Sequence, residues 1–353
     1  MKRNNVSRRT VLSSIGAAGV AGLAGCAGDD GESAEVEAAF VYAHEASGLG
    51  YTQAHDNGRQ LVEDEFDWLE TSYTEEVGAE DTARAVEQYA RRDVDIIYAT
   101  NFNHMDGMFE VAEEYPDTRF EHCSGFLQRE NMGRYFARLY EARYLTGVAA
   151  GQLTETDTLG YVASVPIAEV IRQLNAFYLG AASVNPDVTM NVRWLNTFND
   201  PPSASDAADA LADDGADVIN NHMSTAAAVS AARSNDAWSF TYTTSMSEDG
   251  GDLYGGSALF NWGEYYRQSI ESVRDGSWEA SAYWEGLDDG VVDVELGDAV
   301  SDSIVADVET AREDLISGEI DIWEDTEFEG ADDEFLFGEM ESYVDGIEGE
   351  VPG

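Results

Sequence analysis

The stretch LGYVASVPIAEVIRQLNAFYLGAASVNPDV, residues 159–188, decides the architecture. It opens on a short apolar run, 159–164, of the length a buried strand needs. Residues 168–184 then carry apolar side chains at helical spacing, and Val188 begins another strand-like run over 188–196. Strand, helix and strand in immediate succession are the mark of a βαβ unit and a parallel sheet. The same alternation continues downstream as a helix at 205–214, a strand at 217–221, a helix at 225–235 and a strand at 238–243. Upstream it reads as strands at 36–43, 69–75, 94–100 and 118–124. Helices lie between them at 52–66, 80–92 and 105–115, and a longer helix at 137–153 closes this half. The two halves rhyme locally, RRDVDIIY (91–98) against DDGADVIN (213–220). Duplication favours two similar lobes over one continuous sheet of eight strands. The predicted fold is therefore α/β, with two doubly wound parallel-sheet lobes joined by a hinge.

The chain has 353 residues, enough for two domains of ordinary size. At 43% hydrophobic and 11% aromatic it has the apolar surface to build cores. Its charge is the anomaly: 70 Asp and Glu face 19 Lys and Arg, Lys2 is the only lysine, and the formal net charge is −51. Nucleic acid is excluded as a partner, because phosphate neutralisation needs a basic footprint. In molar salt the Debye length falls to about 3 Å, and a carboxylate shell then keeps a protein hydrated without strong self-repulsion. The composition resembles that of haloarchaeal proteins.

The N-terminus reads as an address. Lys2, Arg3, Arg8 and Arg9 precede a weakly apolar Gly/Ala-rich run over 11–24, too short for a membrane span of roughly twenty residues. SRRTVL (7–12) resembles a twin-arginine export motif, and LAGC (23–26) resembles a lipobox. These resemblances imply a signal peptide over 1–25 and a lipid on Cys26, whose two acyl chains suffice for stable anchoring on the outer face of the cell membrane. An acidic tether over 26–37 follows. Cys123 would then be the only other cysteine, which leaves no intrachain disulfide and no cysteine metal cage. The expected layout is a first lobe over 38–157 with part of 258–283, a second lobe over 158–257 with part of 284–320, and an acidic C-terminal segment over 321–353.

Ligands of open parallel sheets bind beyond the carboxyl ends of the strands. The residues there are HEASGLGYT (44–52), NFNH (101–104), SGF (124–126), SVP (164–166), NTFND (196–200), HMST (222–225) and TTS (243–245). They are amides, hydroxyls, imidazoles and aromatics, without Arg or Lys, and with Glu45 and Asp200 the only acids. Anionic ligands usually recruit a guanidinium fork, so this lining points to a neutral ligand, and aromatic stacking with amide hydrogen bonds suits a flat heterocycle.

Several stretches carry a family likeness: GLGYTQAHDNG (48–58), DIIYATNFNHMD (95–106), VAEEYPDTRFEHCSG (111–125), NMGRYFARLYEARYLTGVAAGQLT (131–154), residues 159–188 and NWGEYY (261–266). Together they resemble the basic membrane protein (BMP) family of ABC-transporter substrate-binding lipoproteins, in its purine-binding branch. The resemblance implies a type I periplasmic-binding fold that closes on a purine base or nucleoside and delivers it to an ABC permease. It also implies Tyr51 as the aromatic stacker, in place of the family's usual Trp or Phe. Further ligand contacts are implied at Asn101, Phe102, Phe126 and Asn131 in the first lobe, and at Trp194, Asn196, Phe198, His222, Tyr242 and Trp262 in the second or at the hinge. Ribose-binding acids and lysine are not evident, which favours a free base. No catalytic, metal or cofactor motif is present. A sensing receptor of the same fold is the alternative, and a surface-anchored hydrolase a more remote one.

Overall fold

The computed structural model describes residues 35–47 and 49–352, so the export motif and Cys26 lie outside the described residues. Two parallel sheets form, not one. The first half supplies β1 (Val36–Val41), α1 (Tyr51–Glu65), β2 (Leu69–Thr74), α2 (Thr82–Ala90), β3 (Ile96–Ala99), α3 (Met105–Glu114), β4 (Arg119–Cys123) and β5 (Met132–Ala137). Next come α4 (Leu139–Leu153), β6 (Thr158–Ala163), α5 (Ala168–Val184), β7 (Thr189–Trp194), α6 (Pro201–Asp213), β8 (Val218–Asn221), α7 (Ala227–Ser234), β9 (Trp238–Thr243), α8 (Ser247–Gly250) and β10 (Tyr254–Phe260). The chain ends with α9 (Trp262–Asp275), β11 (Ala282–Glu285), β12 (Val292–Leu296), α10 (Asp302–Ser317), α11 (Asp333–Gly338) and β13 (Ile347–Glu348).

The first sheet has the order β11-β5-β4-β3-β1-β2, and the second β12-β10-β9-β8-β6-β7-β13. Every pairing is parallel except β10 with β12. Helices cover both faces, which is why central strands such as β3 (IIYA) and β8 (VINN) are buried at every position and do not alternate. Local signals set the helix ends. Asp200 caps α6 by accepting from the Ser203 amide, with Pro201 following it at the first helical position. Gly276 and Gly318 end α9 and α10 in the left-handed conformation.

The chain crosses between lobes between β5 and α4, between β10 and α9, and between β11 and β12. Helix α4, which the sequence pattern groups with the first half, packs along α5 in the second lobe. This packing is backbone-close, since a Cβ on Gly147 would lie 2.1 Å from the Phe177 carbonyl and one on Gly180 would lie 2.0 Å from that of Tyr144. Residues 321–352 are acidic on the outside but anchored: Trp323, Phe328, Leu336, Met340 and Val344 are buried, and β13 extends the second sheet. They run over the hinge, where Phe337 packs on Phe136 and Trp284, Asp333 pairs with Arg138, and Arg172 donates to the Leu336 and Phe337 carbonyls. Among the described residues, no helix is long and apolar enough to cross a membrane.

Candidate ligand-binding site

The carboxyl ends of both sheets face one slit, and the lobes touch across it at Gly50, where a Cβ would meet that of Ser224 at 3.1 Å. Gly50 holds φ +88, so only glycine satisfies both the turn and the close approach. Tyr51 follows at the start of α1. It is half-buried, with its hydroxyl 3.1 Å from the Cys123 sulfur and its ring edge-on to His55 and to Phe260 of the second lobe.

In the second lobe, the ends of β6, β8 and β9 present a row of buried polar groups. Ser164 Oγ, His222 Nε2, Thr243 Oγ1 and Thr244 Oγ1 are all buried without a hydrogen-bond partner among the described residues. Leaving such a group unmatched costs about 1–3 kcal/mol, so a row of them at one strand edge calls for a ligand or ordered water. Thr243, a β-branched residue, holds φ 70, while Ser124 after β4 of the first sheet and Asn196 after β7 hold φ 62 and 56. Backbone held in the left-handed region clusters at binding sites. The Tyr242 ring lies 4.1 Å from that of His222. Burial, reinforced by the Arg143 charge, drives the His222 imidazole well below its ordinary range, so it is neutral.

Glu169, in the first turn of α5, is a functional candidate that sequence reading passed over. Its charge bears on Tyr51 and Cys123 of the first lobe and on Tyr161 and Tyr242 of the second, so both lobes feel the carboxyl. Desolvation pushes it up to about 7, opposed by Arg172. In a chain with 70 acids, one more acid carries no signal; its position after β6 was the only clue. The lining is thus not wholly free of acid.

The other expected contacts divide. Phe102, Phe126 and Phe198 are 50%, 60% and 38% exposed, so they stand on the rim of the slit, with the first two rings 6.2 Å apart. Asn196 is exposed beside Phe198. Asn101 is half-buried; its carbonyl accepts from His122 Nε2 and its side chain accepts from the Asn103 amide. Asn131 is misplaced as a ligand contact: it precedes β5, at the amino end of the strands and away from their carboxyl ends, and donates to the carbonyls of Ala112, Tyr115 and Thr118. Trp194 donates to the Tyr343 hydroxyl at 2.6 Å and is held by the C-terminal segment. Trp262 is fully buried, stacked on His55 at 4.8 Å and on Phe260 at 4.6 Å, so it backs the slit instead of lining it. Among the described residues, no cluster of His, Cys, Asp or Glu could hold a metal ion.

The sequence profile of ABC transporter substrate-binding proteins of the PnrA-like type, Bmp, matches residues 35–326. The chain belongs to the Bmp family. A Haloferax volcanii protein, TsgA13, provisionally named a glucose-binding protein of an ABC transporter, is 49% identical over 318 residues, 90% of this chain and 81% of that protein. A purine-binding protein of Brucella abortus is 34% identical over 331 residues, 90% of this chain and 94% of its own length. Among solved structures, an ABC transporter solute-binding protein from Conexibacter woesei superposes with a TM-score of 0.70 at 19% identity, covering 81% of this chain and 98% of that one. That likeness shows the fold, the two-lobed type I periplasmic-binding architecture. This Bmp-family chain is accordingly a solute-binding component of an ABC transporter, with a ligand and a permease as partners, and it is not an enzyme.

Proposed function

We propose that the protein captures a purine base between its lobes and hands it to the permease. The reading is carried by the row of unpartnered Ser164, His222, Thr243 and Thr244 groups at the carboxyl ends of β6, β8 and β9, in a protein whose lobes meet at Gly50. A flat ring with donors and acceptors on its edge suits such a slot, and aromatic contact adds about 0.5–1.5 kcal/mol. The Brucella relative is named for purine binding and favours this ligand; the Haloferax relative is named for glucose binding, and a hydroxyl-rich row with Glu169 beside it would also suit a sugar. Calorimetry in molar salt against adenine, guanine, hypoxanthine and glucose decides between them. We expect a purine to bind at micromolar concentration, about −8 kcal/mol, and Tyr51→Ala to weaken it by about 1–2 kcal/mol. Heat with glucose alone would transfer the site to sugars.

The address motifs support a further part of the proposal, namely export by the twin-arginine route and anchoring by lipid on Cys26 at the outer face of the membrane. Replacing Arg8 and Arg9 with Lys should retain the precursor inside the cell, and Cys26→Ser should release the protein from the membrane fraction. An unchanged distribution in either variant would remove that part. The acidic surface supports a halophilic setting. Raising NaCl from 0.2 M to 3 M should lift the unfolding midpoint by several degrees, equivalent to about 2 kcal/mol, through screening of self-repulsion. A midpoint indifferent to salt would count against it.

A further inference from the structure

His222 follows the last residue of β8 and is completely buried, and the partners of its Nδ1 determine where its proton sits. The Tyr161 hydroxyl lies 2.7 Å from Nδ1 and the Arg143 NH2 group 3.4 Å from it. A hydroxyl can give or take a proton, but a guanidinium only donates. Nδ1 is therefore the acceptor, and the neutral ring carries its hydrogen on Nε2, the atom left without a partner among the described residues. Arg143 is itself held rigidly. It reaches from α4 to the side chain of Asn220, to the Thr241 carbonyl at 3.1 Å and to Gln173 at 3.4 Å, with its guanidinium 5.0 Å from the centre of the Tyr242 ring. It makes no ion pair among the described residues, so nothing nearby cancels its charge.

We propose that Arg143 is a positioning residue that locks His222 as the Nε2–H tautomer, making this N–H the donor that reads an acceptor atom, a ring nitrogen or an oxygen, on the bound ligand. The charged and titratable groups around His222 are Arg143 from α4, Tyr161 from β6, Tyr242 from β9 and, acting on both tyrosines, Glu169 from α5. Arg143 is the cation among them, and its field opposes protonation of the ring. The donor role rests on the reading of this edge as the ligand site; the tautomer does not.

The test uses the full chain, labelled with 15N, in molar salt. With only five histidines, long-range imidazole correlation spectra are readily assigned through His222→Gln. We expect His222 to show a protonated Nε2 and an unprotonated Nδ1 without ligand, and a protonated Nδ1 would overturn the proposal. Arg143→Met should release the tautomer, and Arg143→Lys, which restores a cation that only donates, should hold it. An Nδ1 that stays unprotonated in Arg143→Met at pH 8 overturns the positioning role. In Arg143→Met the freed ring turns a lone pair toward the ligand. Affinity for adenine should then fall ten-fold or more relative to the parent at pH 8, and Arg143→Lys should restore it. A deficit in Arg143→Lys as large as that in Arg143→Met would mark a purely structural loss and overturn the proposal. Should Arg143→Met fail to fold, the tautomer of the native protein decides alone. Adenine, guanine, hypoxanthine and glucose serve as probes. A binder that leaves the Nε2 resonance unmoved overturns the donor role, whereas binding by none of them sinks the purine reading and leaves the tautomer result standing.

Discussion

Replacing Glu121 with Gln should stabilise the protein at pH 8 by on the order of 3 to 4 kcal/mol while changing little at pH 4.5. Glu121 lies on β4, buried, with one carboxyl oxygen accepting from Trp278 Nε1 at 2.9 Å and the other without a partner among the described residues. Burial pushes its carboxyl from 4.5 up to about 8, against the nearby Tyr265 hydroxyl and the Trp278 hydrogen bond, which pull it down. Between those values the folded state keeps the proton and the unfolded chain loses it. The unfolded state therefore binds fewer protons, and stability falls as pH rises through this window. A carboxamide retains the acceptor for Trp278 and cannot ionise, so the variant escapes the fall. Its new amide hydrogens need partners, which offsets part of the gain. Denaturant unfolding of parent and variant at pH 4.5, 6 and 8 in molar salt measures the difference. Glu141 and Glu169 are also raised, but they slope both proteins alike. Parallel curves would show that Glu121 ionises as readily in the fold as outside it.

Gly147→Leu should lower stability by roughly 3 kcal/mol or more, a drop in midpoint of about 5 °C or more. Any side chain at 147 meets the Phe177 carbonyl, and any at 180 meets that of Tyr144, so the obstruction is backbone on both sides of the α4–α5 contact. Relief requires the two helices to separate, which would open the interior of the second lobe. Gly318→Ala is the control, since φ +76 disfavours an L residue there but nothing lies within 4 Å. Its cost should stay near 1 kcal/mol. A Gly147 variant no worse than this control would show that α4 and α5 have slack between them.

Much of the fold was readable because its signals are local. Eight strands and their helices follow from short apolar runs and helical periodicity. The strands that escaped notice have mixed sequences: β5 is MGRYFA with Arg134 inside it, and β10 is YGGSALF with two adjacent glycines. Each is a strand because neighbours on either side supply its hydrogen bonds, not because its own residues favour one. The short β11, β12 and β13 owe their existence to the same kind of pairing. Strand-end positions brought in Tyr51 and His222 as candidates, and the family resemblance brought in Tyr242. Whether a side chain at such a position faces ligand, solvent or core was not legible. Asn131, Trp194 and Trp262 hold the protein together, and Phe102, Phe126 and Phe198 stand on the rim.

By itself the amino-acid order determined the alternation of strands and helices, the duplication into two lobes, the acidic surface and the family, since each is written in neighbouring residues or in bulk composition. Only the tertiary structure decided that α4 joins the second lobe, that residues 321–352 bind over the hinge, and that Arg143 reaches His222. Arg143 lies on α4 and His222 just after β8, and the contact between them spans 79 positions. Such encounters are set by which buried polar groups must find partners once the sheets are assembled, a condition no local pattern encodes.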